Sequence, residues 1–357
     1  MGKNHSNNKK SVSAPSVFFE SVVKTFRNAE AKAGSITKFY RIGNCLVRLC
    51  FAGPALVPLI TPALEHLEIE REQWNPKAPF LKVCLADSAS TGEKMPCAQI
   101  NGFKGMGPGK IWIFQNDFHD IISQFTDGLF HILEKCQNLA IFWINDVAKL
   151  PVCESGSPLL KIFHWWMNER GRQLVHAGAV GLPEKGVLLV GKGGTGKSTT
   201  ALACLCSNLG YAGDDYCLVS TKPRIYAHSL YNSGKIKLED KDHFPFLYPA
   251  LNDSCKLDTG KALVFIHRHF PEKTSNGFPL KAIFIPQISG LKHTELRQVS
   301  PAKAYLALVP STIYQLPGVE QKAFQIMGEM IKKLPCYVLE IGTDLSLIPD
   351  TILNFLG

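Results

Sequence analysis

A glycine-rich segment that ends in a lysine and a serine is the part of this sequence best suited to chemistry. Residues 191–198 fit the pattern G-x-x-x-x-G-K-[ST], in which glycines let backbone N–H groups curl around an anionic phosphate. The lysine of this pattern reaches the outer phosphates, and the serine hydroxyl holds Mg²⁺. We therefore expect a nucleotide site whose phosphate contacts come from Gly191, Lys192, Gly193, Gly194, Thr195, Gly196, Lys197, Ser198 and Thr199.

Two neighbouring acids, Asp214 and Asp215, follow the loop and the helix predicted after it. In proteins with such a loop, a carboxylate at the end of a neighbouring strand helps to hold Mg²⁺, and a second acid near the γ-phosphate can accept a proton. Adjacent side chains of a strand point to opposite faces, so we expect the two acids to have different roles. The alternative is an acidic turn between a helix and a strand.

A histidine, His176, lies on the strand predicted before the strand of the loop. If those two strands pair, its imidazole can approach Asp214 and modulate the basicity of that carboxylate. The alternative is a core histidine whose hydrogen bonds are satisfied there.

The composition is that of a globular protein. Its 357 residues suggest two domains, and 45% hydrophobic with 19% charged residues are ordinary values. The net charge of +9 is diffuse, and we expect no nucleic-acid partner because no basic block with interleaved aromatics occurs beyond the first residues. The apolar window 45–64 contains Arg48 and three prolines, so we expect no membrane span. Eleven cysteines without a C-x-x-C pair, and no signal-peptide pattern, favour a cytoplasmic protein.

The predicted elements divide the chain into three parts. Residues 1–16 are predicted to form a disordered basic tail, residues 17–150 an α+β domain without an assignable catalytic residue, and residues 151–357 an α/β catalytic domain. In the second part we predict helices at 16–29 and 54–67 and strands within 36–51 (a pair joined at Gly43-Asn44), 80–86, 110–115, 128–133 and 139–145. In the third part we predict strands at 174–180, 186–190, 217–220, 262–267, 280–286 and 335–341, and helices at 157–170, 198–209, 301–309, 319–333 and 348–356.

The stretch from His176 to Asp215 resembles the catalytic core of the HPr kinase/phosphorylase family, whose fold is related to that of PEP carboxykinase. That family has a histidine ahead of the loop, then G-x-x-x-x-G-K-S, a helix and an Asp-Asp pair. Here Gly191 follows His176 by 15 positions and Asp214 follows Ser198 by 16, as in that family. The resemblance implies an α/β P-loop kinase domain of the HPr kinase/PEP carboxykinase type, preceded by a smaller α+β N-terminal domain.

The resemblance also implies roles for single residues. Asp214 would be the general base that activates a hydroxyl, and His176 its partner. Lys197 would act on the outer phosphates, while Ser198 and Asp215 would bind Mg²⁺.

The sequence departs from the family after the Asp pair. The glycine-rich signature linked to phosphorolysis is not recognisable there, so neither that activity nor HPr as the substrate follows from the resemblance. Residues 226–238 resemble instead serine-kinase-like relatives that occur with peptide-modification genes. In this segment Lys235 or Lys237 is a candidate to stabilise phosphoryl charge, with a basic strand end as the alternative. Arg268 is a further candidate, for which a solvated loop is the alternative.

Together these features predict a kinase that uses ATP and Mg²⁺ and has an alcohol acceptor. The relatives suggest a Ser or Thr of a peptide or protein as the acceptor, a small-molecule alcohol stays open, and the oligomers of the family leave a homo-oligomer open. The alternatives are a nucleotide-binding regulatory protein and an ATPase without a phosphoryl acceptor. The intact Lys197, Ser198 and Asp214 argue against a purely regulatory protein. An ATPase would want a water-orienting residue and an arginine finger, which spacing alone does not locate.

Overall fold

The first part of the chain is a mixed seven-stranded sheet covered by a long helix. The computed structural model describes residues 14–96, 109–116, 119–126, 128–252, 255–256 and 260–357. The strands run in the order β1-β2-β3-β7-β6-β5-β4, with β3 parallel to both of its neighbours. They are β1 (Ser35–Ile42), β2 (Cys45–Ala52), β3 (Phe80–Asp87), β4 (Ile111–Gln115), β5 (Asp120–Thr126), β6 (Leu129–Glu134) and β7 (Leu139–Ile144). The helices of this part are α1 (Ala14–Ala33), α2 (Val57–Ile60) and α3 (Ser88–Thr91).

Helix α1 covers this sheet with apolar side chains that recur every three or four residues, which places them on one face. Phe19, Val22 and Phe26 are buried in one cluster with Phe130 and Trp143 of the sheet. The predicted helix is confirmed, but it begins at Ala14, so the predicted tail is wrong for residues 14–16. Residues 1–13 lie outside the described residues.

The predicted strands of this part are confirmed, and one strand was missed. β1 and β2 meet at Gly43 and Asn44, which both have positive φ, as the turn requires. The missed strand β5 is buried on both faces over much of its length, so it lacks the alternation that marks a half-exposed strand. The predicted helix at 54–67 is the short helix α2 followed by a 3₁₀ helix, Pro62–Leu67.

A nine-stranded sheet forms the centre of the second part of the chain. Its main path is β11-β9-β10-β17-β13-β12-β8, and β19 joins β17 to β18. The strands are β8 (Arg172–Val175), β9 (Ala177–Leu182), β10 (Lys185–Val190), β11 (Gly210–Gly213), β12 (Cys217–Ser220), β13 (Tyr226–His228), β17 (Gly277–Ile288), β18 (Glu295–Val299) and β19 (Cys336–Ile341). A smaller sheet contains β14 (Ser233–Lys237), β15 (Cys255–Lys256) and β16 (Lys261–Phe265). The helices are α4 (Val152–Gly156), α5 (Leu160–Asn168), α6 (Lys197–Ala203), α7 (Tyr248–Asn252), α8 (Ile266–His269), α9 (Pro301–Gln315), α10 (Glu320–Lys333) and α11 (Leu347–Leu356).

Three predictions for this part are wrong in detail. The predicted strand at 174–180 is two strands, because β8 pairs with β12 whereas β9 pairs with β10 and β11. The helix after the glycine loop ends at Ala203 instead of residue 209, since a 3₁₀ turn and β11 follow it. Helix α9 continues past Pro310 to Gln315. The carbonyl that loses its partner there is that of Leu306, whose side chain is exposed, so water can satisfy it.

One hydrophobic cluster crosses the predicted boundary between residues 150 and 151. It joins side chains of the first sheet to side chains of the second part, among them Leu85, Phe142, Trp165, Trp166, Leu230 and Tyr231. Hydrogen bonds reinforce this contact: Asn232 Nδ2 donates to the Pro62 carbonyl at 2.8 Å, and the Asn232 backbone N–H donates to the Ala63 carbonyl at 2.9 Å. The division into domains stays a prediction.

Candidate functional site

The glycine loop leaves the carboxyl end of β10, a strand that is buried from Gly186 to Val190. Such strand ends are where α/β sheets bind ligands. Gly191 and Gly196 have φ values of +152° and +104°. A Cβ atom would lie 2.6 Å from Thr195 Oγ1 at Gly191, and 2.6 Å from Ile341 Cδ1 at Gly196. The loop therefore requires glycine at both of the positions that the motif fixes.

Lys197 lies beneath this loop and is only 6% exposed. Its Nζ atom donates to the carbonyl oxygen of Gly191 at 2.6 Å and to that of Lys192 at 3.2 Å. Burial lowers the pKa of the ammonium group, and the nearby Asp215 and Asp214 carboxylates oppose this shift. The loop thus curves around a positive charge that its own backbone holds in place.

Asp214 is a buried carboxylate close to the motif serine. Its Oδ2 atom accepts the Lys235 backbone N–H at 3.0 Å, whereas Oδ1 has no hydrogen-bond partner among the described residues. Burial, followed by repulsion from Asp215, raises the pKa of Asp214 to about 6, and the Ser198 side chain acts in the opposite direction. A buried carboxylate oxygen without a hydrogen-bond partner and a neighbouring hydroxyl are oxygen ligands of the kind that Mg²⁺ binds.

The described residues contain no group of three or more His, Cys, Asp or Glu side chains that could hold a metal on their own.

Asp215 lines the cleft in front of the loop and has a cationic or hydrogen-bonding partner at each oxygen. His176 Nε2 lies 3.3 Å from its Oδ1 atom, and Lys235 Nζ lies 2.5 Å from its Oδ2 atom. Burial alone would raise the pKa of Asp215, but the His176 hydrogen bond and the Lys235 charge hold it well below its usual value. Asp215 is therefore a carboxylate kept charged at the edge of the cleft.

The predicted pairing of His176 with Asp214 is wrong, because the histidine contacts Asp215. Asp214 and Asp215 lie in a bend between β11 and β12 instead of the predicted strand, and the first lies against Ser198 while the second faces the histidine. His176 is the residue between β8 and β9, and its backbone N–H donates to Thr312 Oγ1 at 3.1 Å. The break between those strands places the imidazole at the cleft.

The cleft in front of the loop has a cavity volume of about 110 Å³ and opens to solvent. Both predicted lysines of the segment after the Asp pair, Lys235 and Lys237, line it. Arg268 is not among the lining residues, and its Nε atom instead lies 3.0 Å from Oε2 of Glu65 in the first part of the chain. Lys261 also lines the cleft, although the sequence analysis did not predict it. It reaches the cleft because β16 pairs with β14, which places Lys261 opposite Lys237.

Two further residues contact the histidine and were also missed. Gln315 Nε2, at the end of α9, lies 3.3 Å from His176 Nδ1. The Tyr216 hydroxyl donates to Gln315 Oε1 at 2.7 Å, and the Tyr216 and His176 rings are 5.8 Å apart. No local sequence signal marks Gln315, since it follows His176 by 139 positions.

Comparisons with known proteins give a distant likeness to a solved structure. No protein-family model matches the chain, and no curated protein matches it. Among solved structures, the HPr(Ser) kinase/phosphatase from Coxiella burnetii is similar over 52% of this chain and 95% of its own, with 16% identity and a TM-score of 0.30. So low a TM-score carries no conclusion about function.

Nine cysteines have side chains that the structure describes. None of these nine forms a disulfide bond, and five of them are buried. Among the helices of the described ranges, none combines the length and the apolarity that a membrane crossing needs.

Proposed function

We propose that this protein is an ATP-dependent kinase that transfers the γ-phosphoryl group to a hydroxyl, that of a Ser or Thr in a peptide or protein. One observation carries this proposal: a glycine loop curved around a buried lysine lies at a cleft lined by the charged carboxylate of Asp215, and the buried carboxylate of Asp214 lies beside the motif serine. The Ser or Thr acceptor follows from the resemblance to serine-kinase-like relatives.

The loop and its neighbours would bind ATP. Backbone N–H groups of residues 191–199 and the ammonium group of Lys197 would hold the phosphates in line with the acceptor. Ser198 and Asp214 would hold Mg²⁺, since the free oxygen of Asp214 lies on a carboxylate beside that hydroxyl. When bound, Mg²⁺ supplies positive charge that stabilises the phosphates.

Asp215 would orient the acceptor hydroxyl and take its proton, because it lines the cleft and Asp214 does not. Its low pKa is compatible with this role, since phosphoryl transfer has a loose transition state in which positioning matters more than the strength of the base. The resemblance assigns these roles the other way round, with the proton to Asp214 and the metal to Asp215. The contact of His176 with Asp215 is the reason for our assignment.

The test is transfer of labelled γ-phosphate from ATP to peptide and protein acceptors. Label on a Ser or Thr supports the kinase, whereas labelled free phosphate alone supports an ATPase, and nucleotide binding without either supports a regulatory protein.

Two single substitutions separate the roles of the acids. Asp215→Asn should abolish transfer and leave the Kd for ATP and the Mg²⁺ requirement close to those of the wild type. Asp214→Asn should raise the Mg²⁺ concentration needed for half-maximal activity. Asp350→Asn, at an exposed position of α11, is the matched control. The reverse pattern for the two acids would restore the assignment given by the resemblance.

A further inference from the structure

A chain of hydrogen bonds leads from Tyr216 through Gln315 to the imidazole that contacts Asp215. The Tyr216 hydroxyl lies 2.7 Å from Gln315 Oε1, Gln315 Nε2 lies 3.3 Å from His176 Nδ1, and His176 Nε2 lies 3.3 Å from Asp215 Oδ1. Gln315 is not among the residues that line the cleft. Its influence on the site therefore passes through the histidine.

The direction of each hydrogen bond in this chain follows from the groups involved. A carbonyl oxygen only accepts, so Gln315 Oε1 takes the proton of the Tyr216 hydroxyl, and the amide nitrogen is left to donate to the imidazole. A nitrogen that accepts a hydrogen bond carries no proton, so in neutral His176 the proton is on Nε2. That proton points at the Asp215 carboxylate.

We propose that Gln315 is a positioning residue that donates to Nδ1 of His176 and so supports, together with the Asp215 carboxylate at Nε2, the Nε2–H tautomer, with Tyr216 fixing the orientation of the Gln315 amide. In this tautomer His176 donates to Asp215 and does not itself compete for the proton of the acceptor hydroxyl. The carboxylate is thereby held by His176 at Oδ1 and by Lys235 at Oδ2, in one orientation towards the cleft. This inference rests on the proposed kinase reaction for its kinetic consequence, but the tautomer itself does not depend on it.

The tautomer can be measured directly by two-bond ¹H–¹⁵N correlation spectra of the histidine rings, at a pH high enough that the rings are neutral, with a His176→Gln variant to identify the signals. In the wild type, Nε2 should be protonated and Nδ1 unprotonated. In Gln315→Met, which keeps the size of the side chain and removes the amide, Nδ1 loses its donor while Asp215 still accepts from Nε2–H. The ¹⁵N signal of Nδ1 should therefore move to that of an imidazole nitrogen without a hydrogen bond. In Gln315→Glu, a carboxylate that only accepts should place a proton on Nδ1 as well.

The kinetic test compares the same variants in the transfer assay. Gln315→Met should lower kcat about tenfold, the effect of one lost hydrogen bond in the chain that positions Asp215, with the KM for ATP unchanged. Tyr216→Phe should have a smaller effect in the same direction, since the amide can then rotate. Gln321→Met and Tyr314→Phe, at exposed positions of α10 and α9, are the matched controls.

A proton on Nδ1 in the neutral wild-type ring would overturn the proposal, as would a Gln315→Met variant whose Nδ1 signal is unchanged. If no acceptor is ever phosphorylated, the proposed function fails, and the ring spectra still decide the role of Gln315.

Discussion

Replacing Gly196 by alanine tests whether the shape of the loop underlies nucleotide binding. Its φ of +104° is unfavourable for an L-residue by roughly 2 kcal/mol. The added Cβ would also lie 2.6 Å from Ile341 Cδ1, and moving that buried side chain off its rotamer costs about 1 kcal/mol. The total of about 3 kcal/mol can be relieved if the loop leaves its curved conformation. ATP must then restore it, so the Kd should rise about 100-fold.

Isothermal titration calorimetry with ATP and Mg²⁺ measures this effect, and Gly193→Ala is the matched control in the same loop. Gly193 has no heavy atom within 4 Å of an added Cβ and no positive φ, so its alanine variant should bind like the wild type. In Gly196→Ala, a second substitution of Ile341→Val deletes the clashing methyl group and should recover about fivefold in affinity.

The reasoning is refuted if Gly196→Ala binds ATP as the wild type does and also unfolds at the same temperature. It is equally refuted if Gly193→Ala weakens binding to the same extent, because the geometry of Gly196 would then not be the cause.

Three further predictions follow from buried polar groups. Lys197→Met removes the ammonium group beneath the loop and should weaken ATP binding by about 10- to 100-fold in calorimetry. Lys192→Met, at an exposed position, should leave ATP binding unchanged, and an equal loss of affinity in the two variants would contradict this prediction. The pKa of Asp214 is raised to about 6 in the folded state, so the folded protein holds this proton more tightly than the unfolded chain, and stability is lost as the pH rises from about 4 through 6. Relative to Asp214→Asn, the wild type should lose about 3 kcal/mol of unfolding free energy over that range in urea titrations, and a difference independent of pH would exclude the shift. Thr312→Val leaves the buried His176 N–H without its acceptor and should lower the free energy of unfolding by about 1–3 kcal/mol in urea titrations. Ser311→Ala should change it little, and similar unfolding midpoints for the two variants would contradict the role of the hydrogen bond.

The elements that position the loop could be predicted from the sequence because their signals are local. A short apolar run marks the buried strand β10, and the glycine pattern directly after it marks the loop. The same holds for helices α10 and α11, where the apolar residues recur with helical spacing. In each case the residues that decide the structure lie within a few positions of one another.

The arrangement around His176 could not be predicted because it depends on distant parts of the chain. The strand predicted at 174–180 breaks at His176, while its one glycine, Gly178, lies inside β9, so no local signal marks the break. The two halves separate because they pair with different strands. The side chains that reach the site from elsewhere, Gln315 and Lys261, arrive by helix packing and strand pairing. The resemblance identified both aspartates but could not show which of them faces the histidine.

The hydrophobic cluster that joins the two parts of the chain has a consequence for how the cleft is held. Trp165, Trp166 and Tyr231 are almost fully buried in it, and Tyr231 precedes the cleft residue Lys235 by only four positions. A protein shortened to its second half would present both tryptophans to water and leave the start of the β14 strand without the support of Pro62 and Ala63. The first part of the chain contributes no residue to the cleft, but it packs against and supports the part that does. Replacing it with another protein's domain would loosen Lys235, whose ammonium group contacts Asp215.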